Sequence, residues 1–245
     1  MLYNKQISRP VLLNDFINII YEDEYILLIN KPAGLVVHPG HGNLDGTLMD
    51  ILLDKNKFLA KIPRAGIVHR LDKNTTGLMI IAKDIFTYEK LIFLMKNRKI
   101  IRTYDAFVSG HLTSGGIISQ PITRHSKKRT CMMVNTTGKT SITHYQIVQR
   151  FNFYTHIHIK LETGRTHQIR VHMLYLKHPI LGDPTYKITN YYPKHIKKNF
   201  LNKINLFSRQ ALHASHIKFV HPITNCLIDC YTELPKDMVD IVKYL

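Results

Sequence analysis

The chain has 245 residues with 44% hydrophobic content, and 34 Lys and Arg against 17 Asp and Glu give it a net charge of +17. A chain of this length can bury a large core, and the basic excess indicates an anionic partner, most simply nucleic acid. Three cysteines without framework spacing, and no signal peptide or transmembrane run, exclude a disulfide-rich secreted protein or a membrane protein and predict a soluble, cytoplasmic one.

In chain order, residues 1–17 are predicted to be a short lead-in, and the pattern of apolar residues then predicts many short strands and fewer helices. The expected strands lie at residues 19–21, 25–29, 35–37, 66–68, 77–82, 101–108, 140–149, 154–161, 211–220 and 227–231. The expected helices lie at 47–53, 84–97, 167–176 and 235–245, with an excursion that carries a basic cluster at 109–139 and an exposed insertion at 187–206. Because strands outnumber helices, the predicted class is α+β with a largely antiparallel sheet.

A polar loop at residues 69–76 separates two of these apolar segments, and Asp72 is its only carboxylate. The basic neighbours Arg70 and Lys73 favour the ionised form of this acid. A polar loop held between buried strands is also a common place for a reactive group. The alternative is that Asp72 is a turn residue that only caps its own backbone.

A second polar cluster, residues 162–172, follows a predicted strand and opens a predicted helix. Arg170 lies three residues after His167 and shares its helix face. Thr163, Gly164 and Arg165 precede the helix N-terminus, where backbone N–H groups favour an anion. The alternative is a capped helix with surface arginines.

Neither a metal site nor a nucleotide cofactor is predicted. The chain has 15 histidines, but the pairs at 167/172 and 213/216 lack the i, i+4 spacing of a metalloprotease, and no glutamate base accompanies them. The glycines at 40, 42 and 46 match neither the P-loop nor the dinucleotide-binding spacing.

Three segments together resemble the signature motifs of the RluA-type pseudouridine synthases. They are His-Arg-Leu-Asp-Lys-Asn-Thr-Thr-Gly-Leu at 69–78, Arg-Thr-Tyr at 102–104 and Gly-Arg-Thr-His-Gln-Ile-Arg at 164–170. The resemblance runs from about residue 19 to the C-terminus and includes the segments 30–34, 182–184 and 210–214.

The segments 37–40, 43–47 and 123–138 look most like the branch of this family that acts on the large ribosomal subunit. Members of that branch usually carry an S4 RNA-binding domain before the catalytic domain. About 17 residues precede the first predicted strand, too few for such a domain. We therefore expect a lead-in at 1–17 and one pseudouridine synthase catalytic domain at 18–245.

The resemblance implies the pseudouridine synthase fold, with flanking helices around a largely antiparallel mixed sheet and a central active-site cleft. It implies an isomerase that breaks the glycosidic bond of uridine in RNA, rotates the uracil and rejoins it through carbon 5, with no cofactor and no metal. The expected partner is 23S rRNA or an assembling large ribosomal subunit, and we expect a monomer that does not bind membranes.

The resemblance also assigns roles to residues. Asp72 matches the nucleophile, Arg170 the arginine paired with it, and Tyr104 the tyrosine that stacks on uracil and is a candidate proton acceptor. Arg70 matches the residue that fills the space left by the flipped uridine. The further expected contacts for base flipping or RNA binding are His69, Lys83, Arg165, Lys127, Lys128 and Arg129.

Other functions remain open at this point. A catalytically silent RNA-binding or ribosome assembly factor could have the same fold, although it would be free to lose the set Asp72, Tyr104 and Arg170. A synthase from another RluA-type branch would act on tRNA. A nuclease would need a metal site or a pair of histidines acting as acid and base, and neither can be placed.

Overall fold

The computed structural model describes residues 17–40, 42–188 and 198–245, with side chains from residue 200 in the last of these segments. The predicted lead-in, apart from residue 17, and the middle of the predicted insertion lie outside the described residues. Among those described, no helix has both the length and the apolar character needed to cross a bilayer.

The described residues form eleven β-strands and five α-helices. The strands are β1 (Asn18–Glu22), β2 (Ile26–Lys31), β3 (Thr76–Ala82), β4 (Ile101–Ser109), β5 (Gly116–Ser119), β6 (Ile122–Arg124), β7 (Met132–Val134), β8 (Ile142–Arg150), β9 (Tyr154–Leu161), β10 (Leu212–Val220) and β11 (Leu227–Tyr231). The helices are α1 (Leu48–Lys55), α2 (Ile85–Lys96), α3 (Gln168–Tyr175), α4 (Lys198–Leu206) and α5 (Lys236–Val242).

Nine strands form one sheet in the order β1-β2-β3-β10-β4-β9-β8-β5, with β11 beside β10, and β6 pairs with β7 in a separate hairpin. Among the described pairings only β3 with β10 is parallel. The predicted α+β class with a largely antiparallel sheet is therefore confirmed, as are the predicted first hairpin and the helices that became α1, α2, α3 and α5.

Both faces of the sheet are covered where β2 and β3 lie. Met79 and Ile81 of β3 belong to one apolar cluster, which α1 joins, whereas Leu78 and Ile80 belong to a second, which Leu91 of α2 joins. A strand buried on both faces is expected to be continuously apolar, which explains the unbroken run that predicted β3. Each fully buried Leu, Ile or Met side chain stabilises the fold by about 1.5–3 kcal/mol.

The predicted strand at 35–37 is wrong. The carbonyl groups of Val36 and Val37 accept hydrogen bonds from the N–H groups of Leu48 and Met49, at 2.8 and 3.1 Å. These are donors of the first turn of α1, which have no partner inside the helix. The segment therefore caps a helix and does not extend the sheet.

The predicted strand at 66–68 is also wrong. Arg64 and Ala65 have left-handed backbone conformations, with φ of 56° and 52°, inside a short 3-10 turn at Pro63–Gly66. After this turn Ile67 forms only an isolated bridge to Ile81 of β3. The chain thus enters the polar loop from a tight turn, a conformation that the apolar composition of 66–68 does not reveal.

The predicted insertion at 187–206 is not exposed throughout. Its last nine residues form α4, and Ile204 is buried in the main apolar cluster.

Gly77 follows the polar loop and pairs with Ala214 of β10. Its φ is +116°, and a Cβ atom there would lie 2.3 Å from the carbonyl oxygen and 2.5 Å from the nitrogen of Ala214. Both are backbone atoms of the parallel pairing and have little freedom to move. The position therefore requires glycine.

We expect Gly77→Ala to lower the free energy of unfolding by about 3 kcal/mol or more, because strain and overpacking add at this site. Gly40→Ala is the control, since nothing lies within 4 Å of the added methyl, and it should change stability by no more than about 0.5 kcal/mol. Urea unfolding at neutral pH measures both. Equal stabilities of the two variants would contradict this account of the β3–β10 contact.

Candidate active site

The polar loop, the start of β4 and the connection from β9 to α3 surround one cleft of about 580 Å³. The structure brings six of the predicted site residues to its wall. They are His69, Arg70, Asp72, Tyr104, Arg165 and Arg170.

Asp72 lies on the wall of this cleft with 17% of its side chain exposed. Nη1 of Arg170 donates a hydrogen bond to Oδ2 of Asp72 at 3.0 Å, although the two residues are 98 positions apart in sequence. A charge-assisted hydrogen bond of this kind fixes the direction of the carboxylate. Oδ1 is not bonded to Arg170.

Arg170 is itself held by a second carboxylate, Asp183. Its Nε and Nη2 donate to the two oxygens of Asp183 at 2.7 and 2.9 Å, and the Asp183 side chain is fully buried. Burial alone would lower the pKa of Arg170, but the hydrogen bonds and charges of Asp183 and Asp72 outweigh it and raise that pKa. The guanidinium therefore stays charged and points at Asp72 from a fixed position.

The loop after α3 is shaped around Asp183. Oδ1 also accepts hydrogen bonds from the backbone N–H groups of Thr185 and Tyr186, both at 2.9 Å. The sequence analysis recognised the segment 182–184 but did not assign Asp183 to the site. A carboxylate thirteen residues after Arg170 carries no local signal that the two are paired.

His167 is a second residue that sequence reasoning did not assign. It has a left-handed backbone, φ 55°, just before α3. The Tyr186 hydroxyl accepts a hydrogen bond from the backbone N–H of Met132 at 2.7 Å and is thus free to donate its proton to Nδ1 of His167, 2.8 Å away. Nε2 of His167 then carries the ring proton, 3.9 Å from Oδ1 of Asp72.

Burial lowers the pKa of His167, and the charge of Asp72 only partly opposes this effect. His167 therefore contributes a neutral N–H beside Asp72. Because Met132 begins β7, this chain of hydrogen bonds also connects the β6–β7 hairpin with the cleft.

Lys31 supports the polar loop from behind. Its side chain is fully buried, and Nζ donates to the carbonyl oxygens of Pro32, Leu35 and Lys73 at 2.7, 3.0 and 3.0 Å. Burial lowers the pKa of Lys31 to about 7, with the charge of Asp72 acting in the opposite direction. The bond to Lys73 fixes the backbone immediately after Asp72.

Tyr104 lies deep in the cleft on β4, with 5% of the residue exposed. Burial raises the pKa of its hydroxyl, Asp72 adds to this, and Arg102 opposes it. The ring therefore offers an apolar face and a protonated hydroxyl group.

The His69 side chain forms a hydrogen bond within the protein. Its Nε2 accepts a hydrogen bond from the backbone N–H of Ile80 at 2.9 Å, which attaches the polar loop to β3. Burial, with a smaller contribution from the charge of Arg102, lowers the pKa of His69 to about 3. The residue is neutral at physiological pH, and its expected contact with RNA stays a prediction.

Four other predicted residues are not part of the cleft wall. Lys83 follows β3 at its far end and forms an ion pair with Glu22 at 3.0 Å. Lys127, Lys128 and Arg129 are exposed in the turn between β6 and β7.

One group among the described residues has the spacing of a metal site, and it lies away from the cleft. Asp105, His156 and His158 bring their ligand atoms within 4.8 Å of one another. Asp105 follows Tyr104 along β4, so its side chain points to the opposite face of the sheet. The i, i+4 spacing of a helical metal site does not identify this group, because its two histidines are two residues apart on a strand.

The geometry can be compared with known proteins. The family model for RNA pseudouridylate synthase matches residues 25–175. The ribosomal large subunit pseudouridine synthase D of Buchnera aphidicola subsp. Schizaphis graminum is 52% identical over 248 residues, covering 100% of this chain and 78% of the relative. The protein of the same name from Escherichia coli K12 is 46% identical over 229 residues, covering 94% and 70%.

Among solved structures, human RNA pseudouridylate synthase domain containing 4 superimposes with a TM-score of 0.73 at 25% identity, covering 93% of this chain and 92% of the human one. The chain therefore belongs to the RNA pseudouridylate synthase family. It is an RNA pseudouridine synthase, an isomerase, with the fold that the resemblance implied.

The lowered pKa of His69 predicts a pH dependence of stability. Its pKa rises from about 3 in the folded protein to its ordinary value of 6.5 on unfolding. The unfolded chain therefore binds the extra proton, and stability present above pH 6.5 is lost as the pH falls. Between pH 7 and pH 5 this residue should cost about 1–2 kcal/mol.

His69→Gln keeps an acceptor for Ile80 without a titrating group, so it should lose less stability than the wild-type protein over that range. Urea unfolding at pH 7 and pH 5 measures the difference. The same pH dependence for both proteins would mean that His69 is protonated in the folded state.

Proposed function

We propose that this enzyme converts uridines of 23S rRNA, the large-subunit RNA, to pseudouridine, with Asp72 as the nucleophile. The observation that carries the proposal is the Asp72–Arg170–Asp183 constellation, which presents one aimed, ionised carboxylate in a cleft. The large-subunit substrate is supported by the relatives, whose names state it, at 46–52% identity over nearly the whole chain.

The reaction breaks the bond between C1′ of the ribose and N1 of uracil, and it forms a bond between C1′ and C5. The proton on C5 is then released and N1 takes up a proton, so the product is an isomer and atoms balance without a co-reactant. Asp72 can attack the sugar or the base, and an ionised carboxylate suits either route. Arg170 holds the Asp72 carboxylate in position, and Lys31 holds the backbone that follows it.

Tyr104 is proposed to stack on the flipped uracil. Its deep position and apolar face suit stacking. Because burial raises the pKa of the hydroxyl, the group is protonated, and it can accept a further proton only after releasing its own. Stacking is thus the role that the geometry favours over that of proton acceptor.

RNA binding is proposed to rest on the basic surface of the catalytic domain. Arg165 lies at the cleft, and the exposed cluster Lys127, Lys128 and Arg129 extends from the β6–β7 turn. Lys83 is occupied by Glu22 and is the least suited of the predicted contacts. Phosphate contacts of this kind position an RNA without reading its sequence.

Residues 18–245 are proposed to act as one catalytic domain, because a single sheet runs from Asn18 of β1 to Tyr231 of β11. A cytoplasmic monomer without cofactor or metal belongs to the same proposal. The intact pairing of Asp72 with Arg170 favours an active enzyme over a silent assembly factor.

The first test compares wild-type protein with Asp72→Asn on large-subunit rRNA and on tRNA, with pseudouridines mapped in both. We expect conversion of specific rRNA uridines by the wild type. The variant should be at least about 1,000-fold slower, because an amide cannot act as the nucleophile. RNA affinity should be retained.

Pseudouridine formation in tRNA alone would contradict the proposed rRNA substrate and indicate another branch of the family. Wild-type activity in Asp72→Asn would remove Asp72 from the mechanism.

Arg70 tests base flipping separately from chemistry. It is exposed in the polar loop, two positions before Asp72, and can enter the stack as the uridine leaves. Unstacking costs a few kcal/mol in a structured RNA and little in an unstructured one. Arg70→Ala should therefore lose about 10-fold to 100-fold more single-turnover rate on a stem-loop than on a short unstructured RNA.

Lys73→Ala is the matched control, because it removes an exposed cation from the same loop. Lys73→Ala should change the single-turnover rate by the same factor on the stem-loop and on the unstructured RNA. Equal losses for Arg70→Ala as well would show that Arg70 acts in general binding and not as a wedge.

A further inference from the structure

Arg102 is a buried cation in the cleft to which no role has been given so far. It lies on β4 two residues before Tyr104, so both side chains point to the same face of the strand and into the cleft. Only 8% of the residue is exposed.

No carboxylate neutralises Arg102 among the residues that the structure describes. Its Nε is buried and has no hydrogen-bond partner. Arg170, at a similar depth in the same cleft, bonds to two carboxylates. A buried charge without a partner opposes folding, so its presence here indicates that a partner arrives with the substrate.

The end of the guanidinium lies under the backbone of Gly164. A Cβ atom at Gly164 would be 3.3 Å from Nη1 and 3.9 Å from Nη2 of Arg102. The connection between β9 and α3 thus passes over Arg102, and no hydrogen bond joins its two terminal nitrogens to any residue that the structure describes. The charge also acts on Tyr104, since it lowers the pKa that burial raises.

The depth of Arg102 favours the base of the flipped nucleotide as its partner over a phosphate. RNA phosphates stay solvated and contact the exposed basic surface, whereas the uracil is the part that enters the cleft and stacks on Tyr104. The uracil is neutral at first. When the C1′–N1 bond breaks, its electron pair stays on the ring, and the negative charge spreads over N1 and the carbonyl oxygens.

We propose that Arg102 is a further catalytic residue that binds the carbonyl edge of the flipped uracil and stabilises the negative charge that develops on the ring. This rests on the proposed function. A preorganised cation in a site without water is most effective where charge develops during the reaction. Attack on the base also sends electrons to the carbonyl oxygens, so Arg102 serves either route.

The test measures single-turnover rate and RNA affinity for Arg102→Gln and Arg102→Lys. Loss of one such donor typically lowers the rate about 100-fold to 1,000-fold, which is expected for Arg102→Gln with little change in affinity. Arg102→Lys keeps the charge but not the planar fork and should lose about tenfold. Arg150→Gln, on β8 outside the cleft, should retain the wild-type rate.

Three results would overturn the proposal. An unchanged rate would show that the charge does not act in the reaction. A loss of affinity at an unchanged saturating rate, with the salt slope reduced by about one, would assign Arg102 to a phosphate. Equal rate losses for folded Gln and Lys variants would show that the charge is irrelevant.

If Arg102→Gln does not fold, Arg102→Lys decides alone, since a slower rate at constant affinity supports the proposal and any other result overturns it. The wild-type protein in the same assay separates this proposal from the proposed function. Absence of pseudouridine formation by the wild type would contradict the function itself, whereas the outcomes above require an active wild type.

Discussion

Arg170 forms a bridge between Asp72 and Asp183. This bridge connects segments that are distant in sequence. The polar loop, the start of α3 and the loop after α3 each contribute one member. Asp183 is fully buried and needs the guanidinium to compensate its charge. Arg170 therefore cannot turn away from Asp183, and this constraint fixes its remaining N–H toward Asp72. Removing Arg170 or Asp183 would leave a buried charge and misplace the Asp72 carboxylate.

The sheet gives this bridge a rigid base. Gly77 allows β3 and β10 to approach directly behind the polar loop, while Lys31 and His69 bind that loop at its backbone and at β3. The loop that carries Asp72 is thus held by these hydrogen bonds, and the Asp72 side chain is held by Arg170. A side chain on a loop is held in a precise position only when hydrogen bonds of this kind connect the loop to the sheet.

The sequence predicted elements whose cause is local and missed those whose cause is distant. The apolar patterns of β3 and α2 are local signals, and both elements were placed correctly. Residues 35–37 are equally apolar, but their carbonyl groups bond to the first turn of α1, which no local pattern shows. Asp72 stood out as a lone acid among cations. Asp183 did not stand out, because its role in the site depends on its pairing with Arg170.

The buried cations of the cleft and the basic surface have separate physical roles. Exposed charges such as those of Lys127 and Lys128 are screened by salt and act on encounter and affinity. The charges of Arg170 and Arg102 are buried, so salt screens them weakly and each acts over a short distance on its neighbours in the cleft. Arg170 is compensated within the protein, and its effect is to orient Asp72. Arg102 has no such partner among the residues that the structure describes, and under the proposed mechanism its charge is available to the uracil. Under the proposed mechanism, the exposed basic residues position the RNA, whereas only the two buried arginines of the cleft act on the reacting groups.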